Sequence, residues 1–273
     1  MMLCALRRYE MKTLAGRAAA RIVRKFFGNS SVQHSSKLAS LNQIDQNMVE
    51  IIREVKGFTM IDENRIKKNI EAIDYVIGQN IPGAVVECGV WRGGSMLSMI
   101  RRLQYHGISD RDVYLFDTFE GMTAPTEFDI FKNGNSAIET FRSRKKENGV
   151  VDWCNASIDE VKANIFSSGY PQKKMTFIQG DVLNTIPNNS DFDIAILRLD
   201  TDWYESTLCE LKHFYSRVSI GGLVIIDDYG SWLGARKAVD EFFGAVQRKP
   251  YFFKIEPSGA LIFQKTCDWK TAQ

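Results

Sequence analysis

An α/β fold built on a doubly wound, mostly parallel seven-stranded sheet is what this sequence predicts, and three observations carry the prediction. Short apolar runs alternate with helical patterns along most of the chain. Five of the runs stop at an acidic residue, and the last two flank Pro257-Ser258-Gly259, which reads as an antiparallel closing hairpin.

In chain order, residues 1–30 hold seven Lys or Arg against Glu10, leaving −4 for the rest of a 273-residue chain whose net charge is +2. The arginines fall all round a helix, so a loose basic arm is the plain reading, and attraction to anionic lipid or nucleic acid is the sharper one. Gly28 to Ser36 is polar and Gly/Ser-rich, a linker. The expected organisation is therefore an arm and linker over residues 1–36 and one domain over residues 37–273. Helical spacing follows in Met48, Ile51, Ile52 and Val55, then in Ile66, Ile70, Ile73 and Ile77, with Asp62 placed to cap the second helix. Pro82 and Gly83 end that pattern and launch the first strand, Ala84 to Cys88.

The next segment, VVECGVWRGGS (Val85 to Ser95), places three glycines within six residues where a strand turns into a helix. Glycine there lets backbone pass close to what it binds. A dinucleotide fingerprint needs its second glycine where Trp91 stands, so a pyrophosphate is disfavoured. Further strands read from Val113 to Phe116, Met175 to Ile178, Phe192 to Leu199 and Leu223 to Ile226, with helices from Trp203 to about Tyr215 and around Ala235 to Val246. Residues 121–170 exceed a simple crossover and form an insert or lid; its charged run Arg142 to Glu147 reads most plainly as a solvated helix. Met122, Phe128, Phe131, Trp153 and Tyr170 are its candidates for stacking on a substrate ring.

Glu87, Asp117, Asp181, Asp200 and the pair Asp227-Asp228 stand at the carboxyl ends of strands, the edge where open α/β sheets bind ligands. Asp117 is placed to accept from ribose hydroxyls. Asp200, Asp227 and Asp228 offer three hard oxygen ligands near one point, which suits Mg2+. The plainer alternative has one of them cap the following helix and another pair with Arg198 or Arg236. Five scattered cysteines without CxxC spacing suggest reduced thiols and a cytoplasmic protein, not a disulfide frame or zinc site. The charge balance calls for no nucleic-acid partner, and no apolar run is long enough to span a membrane.

Glu87, Gly89 and Gly93 resemble the first motif of S-adenosylmethionine-dependent methyltransferases. Together with LFDTFEGM (Leu115 to Met122), GDVLNTIP (Gly180 to Pro187) and the long segment Leu197 to Tyr229, the chain from about Met60 to Phe263 resembles the macrocin O-methyltransferase family. The resemblance implies a class I, Rossmann-like methyltransferase domain and Mg2+-assisted methylation of a sugar hydroxyl, with a small-molecule or glycan acceptor. It places Glu87, Gly89, Gly93 and Ser95 at the methionine end of the cofactor, Asp117 on ribose and Asp181 near adenine. It makes Asp200, Asp227 and Asp228 the metal ligands, with Asp200 also the general base, since no histidine lies between Asp117 and Asp200. A homo-oligomer is compatible with all of this. The alternatives are a cofactor-binding module without activity and a small-molecule methyltransferase without a sugar acceptor.

Overall fold

The computed structural model describes residues 46–147, 151–246 and 248–268. The chain divides into two units, residues 1–50 and 51–273. Of the first, the described residues are 46–50, which are helical; the basic arm and its linker lie outside the described residues.

Seven strands form one sheet: β1 (Ala84–Cys88), β2 (Val113–Asp117), β3 (Met175–Gln179), β4 (Ile194–Leu199), β5 (Val218–Ile226), β6 (Phe253–Ile255) and β7 (Ala260–Gln264). Their order is β3-β2-β1-β4-β5-β7-β6. β1 to β5 run parallel, whereas β7 is antiparallel to both β5 and β6, closing the sheet with the expected hairpin. Residues 51–55 are helical, and the helices that follow are α1 (Glu63–Gly78), α2 (Gly94–Tyr105), α3 (Ala137–Arg144), α4 (Ile158–Phe166), the single turn α5 (Val182–Thr185), α6 (Tyr204–Phe214) and α7 (Leu233–Gly244). A seven-stranded sheet, mostly parallel and closed by an antiparallel hairpin, is the predicted class.

Central strands β1 and β4 are buried along their whole length. Burial on both faces is why they read as near-continuous apolar runs instead of alternating ones, interrupted by Glu87 in β1 and Arg198 in β4. Asp62 caps α1 as its position suggests, accepting from the backbone N–H of Asn64 (2.9 Å) and Arg65 (3.1 Å). β5 starts five residues earlier than the apolar run does. Gly221 (φ +88°), Gly222 and the polar Ser219 interrupt the pattern there, and the register with β4 skips between Ile194↔Val218 and Ile196↔Leu223. The charged run of the insert is solvated as expected, but α3 ends at Arg144 inside it.

Register decides where the site lies. Cys88 pairs with both Phe116 and Leu199, and Leu199 with Ile226. The four strands therefore end level, and Gly89, Asp117, Asp200 and Asp227 arrive together at one edge of the sheet.

Candidate active site

Between β1 and α2 the chain makes the glycine turn. Gly89 (φ +79°) lies so close to β4 that an added Cβ would meet the Asp200 carbonyl oxygen at 1.9 Å. Its freedom serves the approach of two strand ends. Gly93 (φ +87°) is the N-cap of α2, with Ile165 and Val161 of α4 against it. The turn is then tied to the next strand by Asp117, whose carboxylate accepts from the N–H of Val90 (2.6 Å), Trp91 (3.1 Å) and Phe119 (2.8 Å). Burial pushes the Asp117 pKa up, against those three backbone donors.

Beneath the turn runs a chain of alternating charges. Glu87 on β1 sits beside Arg198 on β4 in register, and neither is exposed at all. Arg198 Nη1 donates to Glu87 Oε1 (2.9 Å) and Asp200 Oδ2 (2.6 Å), and Nη2 donates to Asp227 Oδ1 (2.6 Å). Asp227 Oδ2 accepts from Arg65 Nη1 of α1, and Arg65 Nε donates to Asp62 Oδ2 (2.8 Å). Three carboxylates keep the Arg198 guanidinium protonated against the cost of burial. Glu87 is pushed up to about 8 by burial, with Asp200 and Asp227 adding to the effect and Arg198 opposing it. It supports the turn from below rather than lining the cleft.

Above this layer, Asp200, Asp202 and Asp228 bring one carboxylate oxygen each within 4.8 Å of one another. Two of the three residues expected to hold a cation, Asp200 and Asp228, are here. The third, Asp227, lines the same cleft but lies outside that group of three, both its oxygens accepting from guanidinium groups, the pairing with Arg198 that the plainer alternative allowed. Asp202, which the sequence reading did not name, completes the group. It lies past the strand end, at φ +67°, a conformation uncommon for a non-glycine residue and often found at functional sites. Its N–H donates to Asp228 Oδ2 (3.2 Å). Between Asp200 and Asp202, the Thr201 hydroxyl sits 2.8 Å from Ser206 Oγ and 2.9 Å from Oε1 of the fully buried Glu210, which fixes the loop. Burial, helped by Asp200 and Asp227 and opposed by a hydrogen bond with Asp228, raises Asp202 to about 7, while burial and Asp202 raise Asp228 well above the ordinary carboxylate range.

One cleft joins these parts. Gly89, Ser95, Asp117, Asp181, Asp200, Asp202 and Asp228 all line it, with Met60, Met122, Thr123 and Cys154 along its walls. Asp181 also caps α5, accepting from the Leu183 N–H (2.9 Å). The insert is fastened beside the cleft: buried Asp129 accepts from the Tyr204 N–H at the start of α6 (2.8 Å), and Trp203 Nε1 donates to the Thr123 carbonyl (3.1 Å). Trp153 packs edge-on against Trp203, which packs on Trp232, and Phe131 packs on Trp232. Phe128 lies outside on Tyr204. Tyr170 has no part in the cleft. It is buried at the opposite edge of the sheet, its hydroxyl donating to the Arg111 carbonyl before β2 (2.8 Å).

Comparison with known proteins gives a consistent set of relatives. A family profile described as macrocin-O-methyltransferase (TylF) matches residues 9–262. The demethyldecarbamoylnovobiocin O-methyltransferase of Streptomyces niveus is 33% identical over 184 residues, 67% of each chain. The 8-demethyl-8-(2,3-dimethoxy-alpha-L-rhamnosyl)-tetracenomycin-C 4'-O-methyltransferase of Streptomyces olivaceus is 33% identical over 186 residues, 68% of this chain and 67% of that one. Among solved structures, the O-methyltransferase NovP superposes with a TM-score of 0.66 at 30% identity, over 77% of this chain and 83% of its own.

Proposed function

This chain belongs to the macrocin O-methyltransferase family, and from that premise we propose that it moves the methyl group of S-adenosylmethionine to a sugar hydroxyl, assisted by Mg2+. The acceptor class we favour is a glycoside, a nucleotide sugar or a polysaccharide precursor. A rhamnosyl group in the named acceptor of one relative supports a sugar. The observation that carries the reading is the meeting of Asp200, Asp202 and Asp228 in a cleft that also contains the glycine turn.

The three carboxylates fit a divalent cation. They are hard oxygen donors close enough to share one ion, and their mutual repulsion is what a cation relieves. When bound, Mg2+ would act as a Lewis acid on the acceptor hydroxyl, making its proton easier to lose. Asp200, Asp202 and Asp228 would hold it. For the methyl donor, we assign Gly89, Gly93 and Ser95 to the methionine end, Asp117 to ribose and Asp181 to the adenine side, with Glu87 acting from beneath. Asp117 has its two oxygens partly engaged by the turn, yet each carboxylate oxygen accepts more than one hydrogen bond.

For the proton we assign Asp202 rather than Asp200. Asp200 Oδ2 is occupied by Arg198 Nη1. Asp202 has no guanidinium partner among the described residues, and in the absence of a cation burial raises it to about 7; a bound cation would lower that value. The remaining contribution is alignment: a cleft with rigid strand ends on one side and the fastened insert on the other holds the acceptor oxygen facing the methyl carbon.

Transfer of labelled methyl from S-adenosylmethionine to a panel of rhamnosides, nucleotide sugars and glycan fragments tests the reading. We expect at least one sugar-bearing acceptor to gain an O-methyl group. Labelling confined to acceptors without a sugar would transfer the reading to a different small-molecule class.

A further inference from the structure

At the α2 end of the cleft stands a group of donors that the carboxylate chemistry does not use. Arg65 is the only Lys or Arg lining the cleft among the described residues, facing a wall that includes Asp117, Asp181, Asp200, Asp202, Asp227 and Asp228. Its Nε and Nη1 are engaged by Asp62 and Asp227, and Nη2 has no partner among the described residues. One turn further along α1, on the same face, Asn69 Nδ2 donates to Ser95 Oγ (3.0 Å). Asn69 and Ser95 are buried, 1% and 4% exposed. That bond uses the acceptor side of the Ser95 hydroxyl. Its proton has no acceptor among the described residues, and Ser95 lines the cleft. Ser95 also lies in the first turn of α2, a 12-residue helix whose N-terminus no side chain caps.

Arg65 Nη2, the buried Ser95 hydroxyl proton and the uncapped N–H groups that follow Gly94, whose own N–H donates to the Phe58 carbonyl (2.9 Å), form a seat for a small anion. The rest of the cleft repels one. We propose that Arg65, with Ser95, binds the α-carboxylate of the methyl donor, so that Arg65 selects a donor carrying an amino-acid end. The assignment rests on the reading of the donor as S-adenosylmethionine. Arg65 then has two roles in one position: it pairs with Asp227 below and offers Nη2 to the ligand above. Asp62 and Asp227 hold the side chain in place, which limits the ordering cost when the ligand arrives.

Calorimetric titration of the full chain with S-adenosylmethionine and with decarboxylated S-adenosylmethionine tests this. The wild type should prefer the carboxylated donor by at least about tenfold, the scale of hydrogen bonds to a charged group. Arg65→Gln should weaken S-adenosylmethionine about 10- to 100-fold but shift the decarboxylated compound no more than about threefold. Arg65→Lys should fall between. Equal weakening of both ligands by Arg65→Gln would overturn the assignment and leave Arg65 as a partner of Asp227 alone; so would no change in either. If Arg65→Gln does not fold, the wild-type preference and its loss in Ser95→Ala still decide the matter, and a wild type that binds both ligands equally overturns the seat. A wild type that binds neither ligand overturns the proposed donor itself, a result distinct from the others.

Discussion

Asp202→Asn lowers turnover by about 10²–10⁴, the usual cost of losing a general base, while the protein stays folded and keeps its affinity for S-adenosylmethionine. Asparagine has nearly the same volume and retains an oxygen, so the loop at φ +67° and its contact with Asp228 survive the change. What disappears is a carboxylate that would take the proton and share the cation. The same variant should therefore raise the Mg2+ requirement and flatten the acidic limb of the pH–rate profile, whose midpoint in the wild type should lie below the value of about 7 that burial gives Asp202 without a cation. Asp200→Asn should behave differently: it weakens a cation ligand that Arg198 already holds, so the Mg2+ requirement rises while the acidic limb stays. If Asp200→Asn removes the limb and Asp202→Asn does not, the roles are reversed and Asp200 is the base.

Arg198→Met has the largest expected effect on stability. The guanidinium is fully buried and holds three carboxylates on three adjacent strands: Glu87, Asp200 and Asp227. Methionine fills part of the volume but leaves buried acids without their cation, which typically costs about 3–5 kcal/mol. The loss should depend on pH in a definite direction. Glu87 already titrates at about 8 and Asp227 at about 6 in the folded protein, above the ordinary carboxylate value near 4. Removing the cation raises both further. Over the window between the unfolded and folded values the folded state holds more protons, so stability falls as pH rises. Urea unfolding should show a smaller loss at about pH 5 than at about pH 8. A loss below about 1 kcal/mol at the higher pH would show that the acids are neutral or solvated without Arg198.

The sheet was legible because buried parallel strands carry near-continuous apolar runs, and β1, β2 and β4 announce themselves in that way despite Glu87 and Arg198 within two of them. The start of β5 was not, because Gly221 and Gly222 place an irregularity where the apolar pattern should begin. In the cleft, strand-end position brought out Asp200 and Asp228, the two that meet Asp202. Sequence alone offered Asp227 as an equal partner to Asp228, with Arg198 or Arg236 as an alternative companion for one of them. The choice depends on Arg198, 29 residues away on the neighbouring strand, and on Arg65 reaching in from α1, and neither contact has a local signature. Asp202 left no signal in the sequence for a related reason. It stands in a short loop, where a left-handed backbone turns it towards Asp228, and no periodic pattern records that turn. Tyr170 shows the converse error: an aromatic residue within the insert, but carried by the chain to the far edge of the sheet.

The most direct test of the account is methyl transfer measured after chelation, because cation, acceptor and base are predicted to meet at Asp200, Asp202 and Asp228. Protein stripped with a chelator should bind S-adenosylmethionine much as before yet transfer no methyl to a sugar-bearing acceptor, and added Mg2+ should restore transfer. Stripped protein that methylates the same acceptor at its full rate would contradict the account.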